Sequence, residues 1–213
     1  MGLLALDRTV YYCSLMNKHS ENSTREQLLI TGEQLSLRKG FNAMGLTELL
    51  QTAKIPKGSF YHYFRSKEAF GVAMLEYHYA GYYRLLSQHF ASGAGNYRDR
   101  LLDYFRASLR QFRNSGMISG CLTVKLSAEV CDLSEDMRHQ MEQGISQITA
   151  LLTGAIEQAV AEGSLAATPD AGQLASALYS LWLGANLQAK IAHHAGALES
   201  ALSQVEQILQ QPA

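Results

Sequence analysis

The sequence predicts an all-α fold, and three observations carry that expectation. Segments with apolar residues at helical spacing follow one another along the chain, each bounded by a capping residue or a glycine. No segment sustains the period-2 alternation of a half-buried strand. Only three prolines occur among 213 residues and no low-complexity tract appears, so little interrupts the helices.

Taken in order, residues 1–15 fit no pattern that follows, and a disordered extension or an over-long translation start is expected there. Cys13 is then incidental. "STREQLLITGEQLSLRKG" opens with a capping box, Ser23 with Glu26, carries Leu28, Leu29 and Leu35 at helical spacing, and stops at Gly40. Thr47 is placed to cap a short helix through Ala53. "KIPKGS" reads as a turn, and Ser59 to Phe64 as a second short helix with Phe60 and Phe64 four apart. Ser66 caps a long helix from Lys67 to about Phe90. "ASGAGN" breaks the chain before a helix over Tyr97–Arg113, and "NSGMISG" breaks it again. Helix resumes to Val130 and then spans Ser134–Glu162. Thr168 followed by Pro169 suggests a cap with proline at the first helical position. A last helix is expected from Leu198 to Gln210.

Apolar residues make up 47% of the chain, enough at this length for a proper core. The net charge is −1, yet residues 16–67 hold eight Lys and Arg against four Asp and Glu, while residues 68–213 hold nine against fourteen. A basic head on an acidic body suits polyanion binding by the head. Chance scatter of surface charge is the plainer alternative. Three cysteines are too few for a disulfide scaffold, no apolar run reaches a membrane span, and the N-terminus lacks a signal-peptide pattern. A soluble cytoplasmic protein with no cofactor is expected.

"TELLQTA–KIPKG–SFYHYF" after a longer helix has the layout of a helix-turn-helix, whose second helix lies in the major groove of DNA. Lys57 and Lys67 supply charge for phosphates, Gly58 permits close backbone approach, and Tyr61, His62 and Tyr63 offer hydrogen-bonding aromatics. Phe60 and Phe64 should turn inward. An aromatic packing cluster is the competing reading of "FYHYF".

"SGCLTVKLSAEVCD" holds Cys121 and Cys131, ten helical rises or about 15 Å apart, beyond the roughly 7 Å between Cα atoms that a disulfide tolerates. No Cys-x-x-Cys occurs and His193 and His194 are adjacent, so no metal site is expected. Cys121 falls near a helix start with Lys125 one turn on, which favours its thiolate. Cys131 sits beside Glu129 and Asp132 near a helix end, which opposes ionisation. Cys121 is the candidate nucleophile, against the reading of both thiols as small core hydrophobes. An enzyme with Cys121 as nucleophile needs an oriented base. No histidine near it in sequence provides one.

"TGEQLSLRKGFNAMGLTELLQTAKIPKGSFYHYFRSKEAF" resembles the DNA-binding domain of the TetR family of dimeric, all-helical repressors. "GNYRDR", "SGCLTVKLSAEVCDLSEDMR" and "LWLGANLQAKI" extend the resemblance over about residues 16–210, towards its electrophile-sensing members. It implies a TetR-like fold with a helix-turn-helix head over residues 16–65 and a sensing and dimerisation body over 66–213. It further implies a homodimer on a palindromic double-stranded operator, with Thr47, Lys57, Tyr61, His62 and Lys67 mostly on phosphates. Gly58 and Ser59 would lie near base edges. By the same resemblance Cys121 is the thiol that meets a small electrophile or oxidant, and Lys190 its partner after oxidation through an S–N bond. Where further cysteines would be expected this chain has Ser36, Arg113, Ser164 and Thr168, which leaves Cys121 to act largely alone. The alternative within the family is induction by reversible binding of a hydrophobic ligand. Tyr77, Tyr79, Tyr82 and Tyr83 are pocket or packing residues, and the apolar faces of the last two helices, with Trp182, are candidates for the dimer seam.

Overall fold

The computed structural model describes residues 23–92, 94–116, 121–167 and 169–210, with Cys121 described in its backbone only. The extension expected at residues 1–15, with Cys13, lies outside the described residues. Among the described residues there are nine helices and no strand: α1 Thr24–Lys39, α2 Leu46–Ala53, α3 Lys57–Tyr63, α4 Lys67–Ser92, α5 Tyr97–Ser115, α6 Cys121–Val130, α7 Glu135–Ala161, α8 Ala171–Ala192 and α9 Gly196–Ile208. No helix among them is long and apolar enough to cross a membrane.

Helices form where local chemistry starts and stops them. Ser23 caps α1 by accepting from the Glu26 amide at 3.3 Å, and Gly40 ends it at φ +91°, a conformation that favours glycine. Ser66 Oγ accepts from the Ala69 amide at 2.9 Å and opens α4. Three starts differ from the sequence expectation. Gly45, not Thr47, precedes α2, so Thr47 lies inside its first turn. The helix expected from Ser59 begins at Lys57, because Pro56 takes the extended conformation of a cap and its carbonyl accepts from the Ser59 amide. The cap of α8 is Asp170, which accepts from the Gln173 amide at 2.9 Å. Pro169 therefore precedes the helix, and Thr168 lies outside the described residues.

The chain forms two compact units, one of residues 23–81 with 121–145 and the other of residues 82–116 with 146–210. In the first, α1, α2 and α3 pack on one another and α6 packs on α1. Its core gathers Leu28, Leu29, Leu49, Phe60, Phe70, Met74 and Leu122, each almost fully buried. Phe60, Phe64 and Phe70 stand in a triangle with ring centroids 5.1–5.6 Å apart. Rings at that spacing attract beyond their burial. Tyr79 lies flat against Gly144, where a Cβ would collide with its ring.

In the second unit α9 packs on α8 and α5. Trp182 is buried edge-on to Phe105, their centroids 5.1 Å apart. Arg106 pairs with Glu206 at 2.5 Å and Arg113 with Glu199 at 2.7 Å, both joining α5 to α9. Two positions where cysteines were expected therefore have structural uses: Arg113 in this ion pair, and Ser36, fully buried in the first unit, with its hydroxyl 3.7 Å from Met74 Sδ. Tyr82 is buried with its hydroxyl 3.0 Å from that of Tyr104, whereas Tyr83 is exposed.

Candidate functional site

The short helices α2 and α3, with the start of α4, display the DNA-contact residues that the sequence singles out. Phe60 on α3 and Phe64, the residue that ends it, turn into the core, as their spacing requires, and this forces their neighbours outward. Tyr61, His62 and Tyr63 are all exposed, Tyr61 at 56%, a high value for an aromatic ring. Lys57 and Gly58 are exposed at the first turn of α3, Ser59 is half-buried beside them, and Thr47 is exposed on α2. A Cβ at Gly58 would meet nothing, so this backbone is open to a partner. Burial of the two phenylalanines and exposure of what lies between them decide against "FYHYF" as a wholly internal cluster.

Next to α3 lies an open concavity of about 390 Å³, lined by Arg25, Tyr61, His62, Tyr63, Phe64 and Arg65 among others. The Arg25 guanidinium sits over the Phe64 ring, 5.6 Å from its centroid. Arg25 and Arg65 were not singled out in the sequence. Arg25 is one helix away from the motif, and only folding brings it there.

Lys67 opens α4. Its ammonium donates to the Asn42 carbonyl at 3.1 Å and lies 5.0 Å from the centroid of the Phe41 ring. Burial pushes its pKa down; the Glu129 carboxylate raises it and Lys39 lowers it further. Glu129, at the end of α6, accepts from the Asn42 amide on its side chain and from Asn42 Nδ2 on its carbonyl, both at 3.3 Å. Sequence reasoning missed this contact, because 87 residues separate its partners.

The backbone places Cys121 as the first residue of α6, with Lys125 half-buried one turn later. Free amides at a helix start favour an anion there. Cys131 follows the end of α6, half-buried and free, its amide bonded to the Ser127 carbonyl at 3.3 Å. Lys190 is half-buried in the last turn of α8, in the other compact unit.

Comparison with known proteins agrees with this architecture. Residues 28–74 match the model described as bacterial regulatory proteins of the tetR family, and residues 98–205 match the Tetracyclin repressor-like C-terminal domain. The chain is 60% identical to the HTH-type transcriptional repressor NemR of Escherichia coli (strain K12) over 93% of its own length and all of that protein. It is 34% identical to the transcriptional regulator AcuR of Cereibacter sphaeroides over 78% of this chain and 76% of the relative. The crystal structure of the reduced form of E. coli NemR superposes with a TM-score of 0.86 at 59% identity, covering 90% of this chain and 100% of that one. With both halves matched and the fold in agreement, the chain belongs to the TetR family of transcriptional regulators, as a NemR-like repressor.

Proposed function

We propose that this protein is a homodimeric repressor of the cytoplasm that leaves a palindromic operator when a reactive electrophile or oxidant modifies Cys121, so that detoxification genes are expressed. The observation that carries this reading is the position of α6, which begins at Cys121 and packs on α1 of the helix-turn-helix unit. A covalent change at the start of that helix thus bears directly on the DNA-binding unit. In this proposal residues 16–65 bind DNA through Thr47, Lys57, Gly58, Ser59, Tyr61, His62 and Tyr63, joined by Lys67 at the start of α4, while the rest of residues 66–213 sense and dimerise. The solved relative is described in a reduced form, which supports a thiol-based reading here.

Dimerisation is supported by Leu187 and Ile191, four apart on α8, and Ile208 on α9, which expose 48%, 71% and 46% of their surface. A two-fold axis that buried these side chains would give the dimer that a palindromic operator requires. Half-sites on such an operator lie about 34–36 Å apart, and a small change in head spacing then breaks the match.

The test uses a duplex selected by the wild-type protein from a randomised palindromic library. N-ethylmaleimide should release wild type from it and leave Cys121→Ser bound. Normal release of Cys121→Ser would show that induction runs through another site and would favour reversible binding of a hydrophobic ligand.

A further inference from the structure

The last turn of α6 is fitted to the loop between α1 and α2 in a way that sensing and DNA binding, taken separately, do not explain. Gly40 ends α1 at φ +91°, and the space a side chain would need there is filled by the Glu129 carboxylate. That carboxylate accepts from the Asn42 amide, and the Glu129 carbonyl accepts from Asn42 Nδ2. The Asn42 carbonyl accepts from the Lys67 ammonium, which rests over Phe41. Phe41 and Met44 are buried on either side of Asn42, so the loop is anchored and cannot simply swing away. A continuous run of contacts therefore leads from α6 through Asn42 to Lys67.

We infer that Glu129 is a positioning residue for DNA binding, coupling the placement of α6 to the loop that holds Lys67. The inference rests on the reading of Cys121 as the sensing thiol and adds the route by which modification reaches the head. Its physical basis is the tight fit at both faces of Glu129. Both bonds to Asn42 measure 3.3 Å, near the limit of a useful hydrogen bond, so a shift of α6 by one residue rise, about 1.5 Å, breaks them. The carboxylate also fills the space beside Gly40, which fixes its place against the loop a second time. Such a movement of α6 releases Asn42, and with it the carbonyl that orients the ammonium. Proximity alone does not establish coupling; a change in the response to one site when the link is cut does.

The measured quantity is the ratio of dissociation constants for the selected duplex after and before N-ethylmaleimide treatment of the full-length protein, with the modified thiol identified by mass spectrometry. Glu129→Ala removes the side-chain acceptor and should lower this ratio by about threefold or more relative to wild type, the worth of one modest hydrogen bond. Glu129→Gln keeps an acceptor for the Asn42 amide and should stay within about twofold of wild type. A residue that merely stabilised the head would weaken both forms alike and leave the ratio unchanged. Asn42→Ala, at an exposed loop position, cuts the same link from the other side and decides the matter where Glu129→Ala does not fold. An unchanged ratio in the folded variants, beside a wild type that responds, overturns the role of Glu129 alone. A wild type that stays on the duplex after Cys121 is alkylated overturns the sensing reading on which it rests.

Discussion

The Tyr79 hydroxyl on α4 lies 2.8 Å from Thr123 Oγ1 on α6, two residues after Cys121, and both groups are buried. Burial pushes the Tyr79 phenol up to about 12; the bond to Thr123 acts against this and Cys131 adds to it. A group whose folded pKa is raised contributes stability that is fully present below its unfolded pKa, here about 10, and lost as pH rises towards 12. A change of that size amounts to roughly 3 kcal/mol across the range. Tyr79→Phe should cost about 1 kcal/mol at neutral pH through the lost hydrogen bond, yet flatten the fall in stability between pH 10 and 12. Urea unfolding midpoints across that range would check it, since parallel curves for the two proteins would assign the alkaline loss to other groups.

Lys57 tests the DNA surface. It is exposed at the start of α3, and Lys57→Ala should weaken binding to the selected duplex while leaving the dimer intact. Loss of one phosphate contact also lowers the slope of log affinity against log salt by about one unit. An unchanged slope with full affinity would put the interface on another face. Tyr61→Phe combined with His62→Ala should weaken binding too, with little change of slope.

Much of this surface was legible beforehand, and the reason is local. Phe60 and Phe64 sit four apart, so their inward turn and the outward turn of Tyr61, His62 and Tyr63 follow from helix geometry alone. The Ser23 and Ser66 caps are local for the same reason. Thr47 and Thr168 misled because a threonine or a Thr-Pro pair signals a helix start within several residues, while Gly45 and Asp170 were equally able to fill the role. The link from Glu129 to Asn42 and the seat of Arg25 over Phe64 depend on how helices meet in space, which no short stretch of sequence encodes.

Thiol chemistry gives a prediction with two arms. Cys121 should be alkylated before Cys131 near neutral pH, and Lys125→Met should slow that reaction without changing which thiol reacts. With hypochlorous acid, a two-electron oxidant, the Cys121 thiol becomes a sulfenic acid and chloride leaves. Attack by the Lys190 amine on that sulfur would then expel water and leave an S–N bond, which a thiol reductant reopens. Lys190→Met should therefore blunt the response to oxidant and spare the response to maleimide. Mass spectrometry that finds only a Cys121–Cys121 bridge between subunits would replace this scheme.

Ile191 tests the proposed seam. It exposes 71% of its surface on α8, and a two-fold interface would bury two copies, each worth about 1.5–3 kcal/mol. Ile191→Glu should shift the protein towards monomer in sedimentation equilibrium and weaken operator binding in step. A dimer of unchanged stability would place the seam elsewhere.

The seven residues of α3 carry no side-chain cap, and a helix so short does not persist in water by itself. It exists because Phe60 and Phe64 clamp it onto Phe70. The surface that faces outward is therefore only as rigid as the aromatic triangle behind it. In hydrogen–deuterium exchange the amides of α3 should open through local fluctuations well below the free energy of global unfolding, ahead of those in the middle of α1. A bound duplex should slow them most. Phe70→Leu, which leaves every exposed residue of α3 in place, should quicken that exchange and make operator binding fail on warming before the rest of the molecule melts.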